Sequence, residues 1–318
     1  MQGSDRLVEM HIYRWDLDKT YLDTNFSSLR GLVRAATEAA EEKRAVPGAT
    51  ALIQGLAAAS SARIYILSGS PTQMRSVLEE KLRLDGVRYD GLVLKDNLTN
   101  LRKGRFRAIR GQFGYKLPAL LAARQGMGTA VHESLFGDDA EVDALIYSVY
   151  ADALSGRLTP AQVSRIMETA GAYPDRIEVA LAAIAQLPTG EVVDHIFIHL
   201  ERASPPLRFA ALGPRVVPVF SWWQAAMVLH GQGRLSVEGV SAVTDEVIAT
   251  EGLDDWAFSS LAQDIVRRGH LRPGVLDALS GERTLFERCA RAASRITPVV
   301  LSAQPAEIDY LSILQRWS

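Results

Sequence analysis

A short apolar run from Met10 to Trp15 ends in the acidic pair of Asp16-Leu17-Asp18. The run is rich in large and β-prone residues, which predicts a strand. Ligand sites of open α/β sheets lie at the carboxyl ends of the strands, so we expect both aspartates in a loop at such an end. Residues i and i+2 of a strand share one face. A pair with this spacing can therefore aim two carboxylates into one crevice.

The same spacing also occurs in calcium-binding loops and in acidic turns. An EF-hand loop that began at Asp16 would require glycine where the chain has Tyr21, and glutamate where it has Ser27. These two residues exclude that loop. A simple acidic turn after a strand stays open if the aspartate pair is considered alone.

Two further segments suit the binding of a phosphate group. Arg63 to Leu67 forms another apolar run, and Ser68-Gly69-Ser70-Pro71 follows it. Hydroxyl and loop N–H groups there can bind phosphate oxygens. Lys116 lies in a segment, Gly114 to Pro118, that we expect to open a helix, and its ammonium can balance carboxylates and phosphate. Each segment alone is also compatible with an ordinary turn or a solvated lysine.

A third apolar run, Ser134 to Gly137, is followed by clustered acids. Hard cations such as Mg²⁺ take oxygen ligands, usually one or two protein carboxylates together with substrate phosphate and water. We therefore expect Asp138 to be a metal ligand. Asp139 and Asp143 are expected to ligate through water or to hold Lys116.

In chain order these motifs are Asp-x-Asp-x-Thr, a strand with a terminal serine, a lysine, and a strand followed by Gly-Asp-Asp-x-x-x-Asp. Together they resemble the haloacid dehalogenase superfamily of phosphohydrolases. The resemblance implies a Rossmann-like parallel sheet, dependence on Mg²⁺ and an aspartyl-phosphate intermediate. The resemblance implies that Asp16 is the nucleophile and that Asp18 is the general acid/base. It also implies that Thr20 braces the loop.

The resemblance also assigns the remaining site residues. The phosphoryl group would be held by Ser68 and Lys116, with Gly69 and Ser70 as further substrate-binding residues. The metal site would be formed by Asp16, Asp18, Asp138, Asp139 and Asp143.

Two finer details, Ser68-x-Ser70-Pro71 and Gly137-Asp138-x-x-x-x-Asp143 followed by Tyr147, are similar to the actin-patch-associated phosphatidate phosphatase family. This narrower similarity implies phosphatidate-like lipid as a substrate. It covers about the first half of the chain, and no motif after residue 150 matches. Lys19 departs from the superfamily pattern, because many members carry glycine there.

The chemistry also agrees with general expectation. An aspartate with an ordinary pKa of about 3.9 is ionised at neutral pH, so we expect Asp16 to need no base. Mg²⁺ and Lys116 would offset its repulsion from phosphate. Burial beside other carboxylates would raise the pKa of Asp18, so that it can protonate the leaving oxygen and then deprotonate water.

The predicted fold is α/β, with a Rossmann-like parallel sheet of the haloacid dehalogenase type over residues 1–233 and a mostly helical region of unknown role over residues 234–318. The stretch between the first two motifs holds a predicted helix from Phe26 to Lys43 and is too short for a large capping domain. A small or absent cap would leave an open crevice for a bulky substrate. Trp222 and Trp223 are expected in the core.

Five basic residues and no acidic residue occur from Arg102 to Arg110. Arg105 and Arg107 are the candidates to bind an anionic substrate or to touch a phospholipid surface transiently. A solvated basic loop is the alternative.

Composition limits the class of protein. A net charge of -2 argues against a general nucleic-acid or membrane binder, so we expect no stable nucleic-acid partner. Cys289 is the one cysteine, which excludes an intramolecular disulfide and indicates a reducing compartment. No run approaches the ~18 apolar residues of a spanning helix. These features predict a soluble, cytoplasmic protein and leave the oligomeric state open.

The motifs together predict a Mg²⁺-dependent phosphomonoester hydrolase that acts on a phosphorylated substrate, with phosphatidate-like lipid as the first expectation. One alternative is a catalytically silent module that binds phosphoprotein or lipid, although the intact Asp16 and Asp18 argue against it. Another is the same chemistry on nucleic-acid ends or phosphoproteins.

Overall fold

Six parallel strands form the centre of the computed structural model, which describes residues 10–23, 43–95 and 108–317. The strands are β1 (His11–Asp16), β2 (Ala62–Pro71), β3 (Gly91–Lys95), β4 (His132–Asp138), β5 (Val193–His199) and β6 (Val216–Val219). Their order across the sheet is β3-β2-β1-β4-β5-β6, and all neighbouring strands are parallel. The predicted Rossmann-like α/β fold is therefore confirmed.

The direction in which the chain moves across the sheet reverses at β1. From β1 the chain proceeds through β2 to β3, and it then returns to the other side of β1 to form β4, β5 and β6. The loops after β1 and β4 consequently diverge and leave a crevice at the carboxyl ends of these two strands. Asp16 ends β1 and Asp138 ends β4. The strand order thus brings two predicted site residues to this crevice.

Helices cover both faces of the sheet, because parallel strands need crossover connections. Within the described residues they are α1 (Ala49–Ala57), α2 (Arg75–Leu84), α3 (Ala108–Ala123), α4 (Asp143–Leu154), α5 (Pro160–Thr169), α6 (Pro174–Ile184), α7 (Trp222–Gly231), α8 (Val237–Glu251), α9 (Asp255–Arg267), α10 (Pro273–Leu279), α11 (Thr284–Ala293) and α12 (Tyr310–Trp317). Short 3-10 segments, Thr72–Met74 and Pro206–Leu212, follow β2 and precede β6.

An aromatic cluster fills one face of the sheet beside the end of β1. The rings of Trp15 and Phe136 stack with centroids 4.0 Å apart. Trp222, the first residue of α7, contacts these rings at centroid distances of 5.1 and 5.8 Å. All three side chains are completely buried, as is Trp223. The expectation that the paired tryptophans belong to the core is confirmed.

The helices after residue 233 share this core. Val240 of α8, Phe258 of α9 and Phe286 of α11 are completely buried, and they belong to the same hydrophobic cluster as Trp15. The predicted helical character of the region is confirmed. The core continues across residue 233 without a break, and a domain boundary at that position stays a prediction.

Some predictions concern segments outside the described residues. Arg105 and Arg107 of the basic stretch lie outside them, and so does the predicted helix from Phe26 to Lys43 except for its last residue. The size of a cap therefore also stays a prediction. In the described ranges, no helix combines the length and the apolar character that crossing a bilayer requires.

A buried polar contact attaches α12 to α4. Asp152 is 1% exposed, and its carboxylate accepts hydrogen bonds from the Tyr310 hydroxyl at 2.6 Å and from the Arg215 guanidinium at 3.0 Å. Because a buried carboxylate needs donors in place of water, both contacts stabilise the packing of the C-terminal helix.

We expect Tyr310→Phe to lower the free energy of unfolding by about 1–2 kcal/mol, because a buried oxygen of Asp152 loses a donor. Chemical denaturation measures this change. The control is Tyr89→Phe at a partly exposed tyrosine, for which we expect a change below about 0.5 kcal/mol. Equal losses in the two variants would contradict the role of the Asp152 contact.

Candidate active site

The loop after β1 is closed by its own backbone. The Leu22 N–H donates to the Leu17 carbonyl at 2.8 Å, and the Lys19 N–H donates to the Leu22 carbonyl at 2.7 Å. Lys19 has a φ of +63°, in the left-handed region that favours glycine. The backbone at this position is therefore of the kind that glycine adopts, although the chain has lysine there.

Trp222 and Thr20 fix this loop against the sheet. The Trp222 indole N–H donates to the Thr20 carbonyl at 3.0 Å. The Thr20 hydroxyl lies 3.4 Å from Asp16 Oδ2 and 3.5 Å from Asp138 Oδ2. This buried hydroxyl thus links the ends of β1 and β4, an arrangement that suits the predicted bracing role.

Lys116 lies in the middle of α3, which begins at Ala108 and not at Gly114 as the sequence predicted. Its side chain is completely buried. The ammonium contacts Asp16 Oδ1 at 2.8 Å, Asp143 Oδ1 at 2.5 Å and Glu141 Oε2 at 2.9 Å. One cation from α3 therefore joins carboxylates that follow two different strands.

Four carboxyl groups form the acidic cluster, which consists of Asp16, Asp138, Glu141 and Asp143. One oxygen of each lies within 4.8 Å of the others. A single lysine faces these four acids, and the buried Oδ2 of Asp143 has no hydrogen-bond partner among the described residues. An all-oxygen cluster with surplus negative charge and an unpartnered oxygen fits a hard divalent cation. The acidic cluster can therefore hold a metal ion.

The predicted metal ligands separate into two groups. Asp138 Oδ1 accepts from the backbone N–H groups of Ala140 and Glu141 at 2.6 and 3.0 Å, which orients its carboxylate within the cluster. Asp139 instead accepts from the N–H groups of Arg202 at 2.8 Å and Ser204 at 3.0 Å. The Asp139 carboxylate therefore binds the loop after β5 and lies outside the cluster.

Glu141 is the member of the acidic cluster that was not assigned from the sequence. Its side chain is 27% exposed and reaches Lys116 from the start of the loop before α4. The signal available in the sequence was its position three residues after Asp138. That spacing alone does not show that the loop between β4 and α4 directs the Glu141 side chain towards Lys116.

Asp18 lies beside the cluster and contacts the end of β2. The hydroxyls of Ser68 and Ser70 both donate to Asp18 Oδ2, at 3.0 and 2.9 Å. The Ser70 N–H also donates to the Ser68 hydroxyl at 2.9 Å. Both predicted phosphate-binding serines thus orient the Asp18 carboxyl group, while Gly69 between them carries no side chain.

Burial changes the acid strength of these groups. Burial raises the pKa of Asp16, Lys116 lowers it, and the neighbouring carboxylates raise it again, so that the pKa ends well above its ordinary value. Burial raises the pKa of Asp143 to about 6. The expectation of an ordinary pKa for Asp16 was therefore wrong, because it neglected desolvation.

Two further pKa values bear on proton transfer and charge balance. The pKa of Asp18 is raised, mainly by burial and then by Glu141, while the hydrogen bonds from Ser70 and Ser68 oppose the change. For Lys116, burial lowers the pKa, but Asp143, Asp16 and Glu141 together raise it well above the ordinary value. Lys116 therefore stays protonated, and the predicted upward direction for Asp18 agrees with its surroundings.

We expect Mg²⁺ at ten times its Kd to raise the free energy of unfolding by about 1.4 kcal/mol, because the ion binds only the folded acidic cluster. Affinity should increase as pH rises through about 6, since the Asp143 carboxyl must lose its proton to bind the ion. Denaturation with and without Mg²⁺ at several pH values measures both effects.

Two neighbouring aspartates provide matched variants for this measurement. Asp138→Asn should remove the stabilisation by Mg²⁺, because its carboxylate belongs to the cluster. Asp139→Asn should keep it, because that carboxylate binds the loop after β5. Loss of the Mg²⁺ effect in both variants, or in neither, would contradict the cluster as the site of the ion.

No protein-family model, curated protein or solved structure matches the chain. The chemistry of the crevice therefore has to be inferred from its own geometry: a parallel sheet whose strand order reverses at β1, a buried lysine among carboxylates, and a second aspartate held by two serines.

Proposed function

We propose that the chain is a Mg²⁺-dependent phosphomonoester hydrolase of the haloacid dehalogenase type that forms an aspartyl-phosphate on Asp16. The supporting observation is that four separate stretches of sequence meet at one edge of the sheet. They supply Asp16 and Asp18 at and just after the end of β1, Ser68 and Ser70 from β2, and Lys116 from α3. The fourth stretch supplies Asp138 at the end of β4, with Glu141 and Asp143 after it. Unrelated acidic turns would not require a buried lysine and two buried serines to contact these aspartates.

Asp16 is suited to the role of nucleophile. It is 1% exposed at the end of β1, and one of its oxygens lies 2.8 Å from the Lys116 ammonium. In the proposed first step, an Asp16 oxygen forms a bond to phosphorus while the bond from phosphorus to the leaving oxygen breaks. Lys116 offsets the repulsion between the carboxylate and the phosphate.

Asp18 is suited to move the protons. Ser68 and Ser70 fix the orientation of its carboxyl group, and burial raises its pKa so that it can hold a proton. Asp18 would give this proton to the leaving oxygen in the first step. In the second step it would take a proton from water, whose oxygen attacks phosphorus and releases orthophosphate and the Asp16 carboxylate.

The acidic cluster would hold the ion in this proposal. Asp16, Asp138 and Asp143 are its most buried members. A bound Mg²⁺ supplies positive charge that favours the ionised form of Asp16 and stabilises the negative charge of the phosphoryl group. Lys116 and the ion together would balance the carboxylates that face each other in the crevice.

Phosphatidate-like lipid is the first substrate to test, because the spacings around Ser68 and Asp138 resemble the phosphatidate phosphatase family. A transient contact with a membrane surface and a cytoplasmic location stay predictions. Phosphoproteins and nucleic-acid ends are alternative substrates, which the same chemistry would hydrolyse. A silent phospho-ligand binding module is the outcome if no phosphate ester turns over.

We expect wild type to hydrolyse a generic aryl phosphate with Mg²⁺ and to be inactive with EDTA. Asp16→Asn should have no turnover under either condition, because it removes the nucleophile. Asp18→Asn should lower turnover by roughly 10²–10⁴-fold, because it removes the general acid/base. Release of orthophosphate measures all of these rates, and mass spectrometry of acid-quenched protein locates the phosphate on Asp16.

The matched control is Asp23→Asn, which changes an exposed aspartate in the same segment as Asp16. It should keep the wild-type rate within about twofold. Turnover by Asp16→Asn at the wild-type rate would exclude the proposed nucleophile. If wild type is inactive on the aryl phosphate and also on phosphatidate, phosphate binding without turnover would favour the silent module.

A further inference from the structure

Lys95 is a partly buried cation beside the candidate active site. It is the last residue of β3, and it pairs in the sheet with Pro71, which follows the Ser68-Gly69-Ser70 segment. Its ammonium lies 5.8 Å from the centroid of the Tyr115 ring. In the part of the chain that the structure describes, no carboxylate forms an ion pair with this partly buried lysine. An unpaired, partly buried cation favours the binding of an anion.

Tyr115 fixes the position of this cation. Its hydroxyl donates to the Val93 carbonyl at 3.3 Å, so the ring is attached to β3 and lies near the lysine. Tyr115 precedes Lys116 in α3. Lys116 thus reaches Asp16, while the residue before it, Tyr115, lies near Lys95 at the end of β3.

Gln112 lies against the same segment of β2. A Cβ atom added to Gly69 would come within 3.6 Å of Gln112 Nε2 and within 3.8 Å of its Oε1. Gln112 Oε1 is buried and has no hydrogen-bond partner among the described residues. Its carboxamide therefore faces the Ser68-Gly69-Ser70 segment, and its Nε2 can donate a hydrogen bond to an anion in the crevice.

Burial and nearby charges both act on the ammonium of Lys95. Burial is the main cause that lowers the pKa of Lys95; Glu141 raises it, and Lys116 and Arg176 lower it further. Since burial disfavours an unpaired ammonium, an anion bound beside Lys95 would stabilise its charged form.

We propose that Lys95 and Gln112 form an outer subsite that binds a second anionic group of the substrate, next to the phosphate that reacts at Asp16. This inference rests on the proposed function, but it favours a substrate class other than phosphatidate, whose one anionic group is the reacting phosphate: phosphomonoesters that also carry a carboxylate or another phosphate. Lys116 is already enclosed by Asp16, Glu141 and Asp143. Lys95 is the described lysine near the crevice that is left to bind the second charge.

Phenyl phosphate and 3-carboxyphenyl phosphate provide the test, because they differ by one carboxylate. Lys95→Met keeps an unbranched side chain against Tyr115 and removes the charge. We expect it to lower kcat/KM by about tenfold for the carboxylated ester, the effect of one hydrogen bond to a charged group. For phenyl phosphate the change should stay below about twofold, and Lys95→Arg should restore most of the loss.

The matched control is Arg165→Met, which removes a cation from the exposed face of α5. It should change both esters equally and by little. Equal losses for the two esters in Lys95→Met, or no loss for either, would overturn the subsite. Thermal unfolding of each variant shows whether a loss of activity arises from misfolding. If Lys95→Met is misfolded, the ratio of the two esters in Lys95→Arg tests the subsite instead, and it should stay close to the wild-type ratio.

The proposed function and this inference can fail separately. If wild type hydrolyses neither ester and is also inactive on phosphatidate, the phosphatase proposal fails, and calorimetric binding of the two uncleaved esters then tests the subsite. Tighter binding of the carboxylated ester that Lys95→Met abolishes would support the subsite. Equal binding of both esters, or binding of neither, would overturn it.

Discussion

The candidate active site depends on the buried contact between the Lys116 ammonium and its carboxylates. This single cation joins α3 to the end of β1 through Asp16, and to the segment after β4 through Glu141 and Asp143. Without it, four carboxyl groups, three of them buried, would face one another, and the repulsion among the buried groups would be strong in that low dielectric. Removing one partner of such a buried group typically costs about 3–5 kcal/mol.

The aromatic core places the loop that carries the two aspartates. Trp15 and Phe136, on the two central strands, stack at 4.0 Å, and Trp222 packs against both rings. The same Trp222 donates its indole N–H to the Thr20 carbonyl. Because α7 and the helices after residue 233 belong to this core, the C-terminal half of the chain supports a site whose residues all come from the N-terminal half.

The site could be predicted in part. The sequence identified Asp16, Asp18, Ser68 and Lys116 because they occur near predicted strand ends or in a predicted helix at recognisable spacings. The structure brings these four residues together. Asp139 was assigned to the metal with its neighbour Asp138, yet it binds the backbone at Arg202 and Ser204. Adjacent residues of a loop can face different ways. The direction of the Asp139 side chain depends on hydrogen-bond donors more than 60 residues away in the chain. The spacing of the acids alone could therefore not predict it.

The sequence by itself determined the strands, the helical character of the C-terminal region, and the presence of paired acids after β1. These follow from local periodicity and composition, which act between residues close in the chain. Only the tertiary structure decided that Glu141 joins the acidic cluster and that the pKa of Asp16 is raised. Both depend on burial and on charges from distant segments, because desolvation and Coulomb interactions are set by what surrounds a group in space.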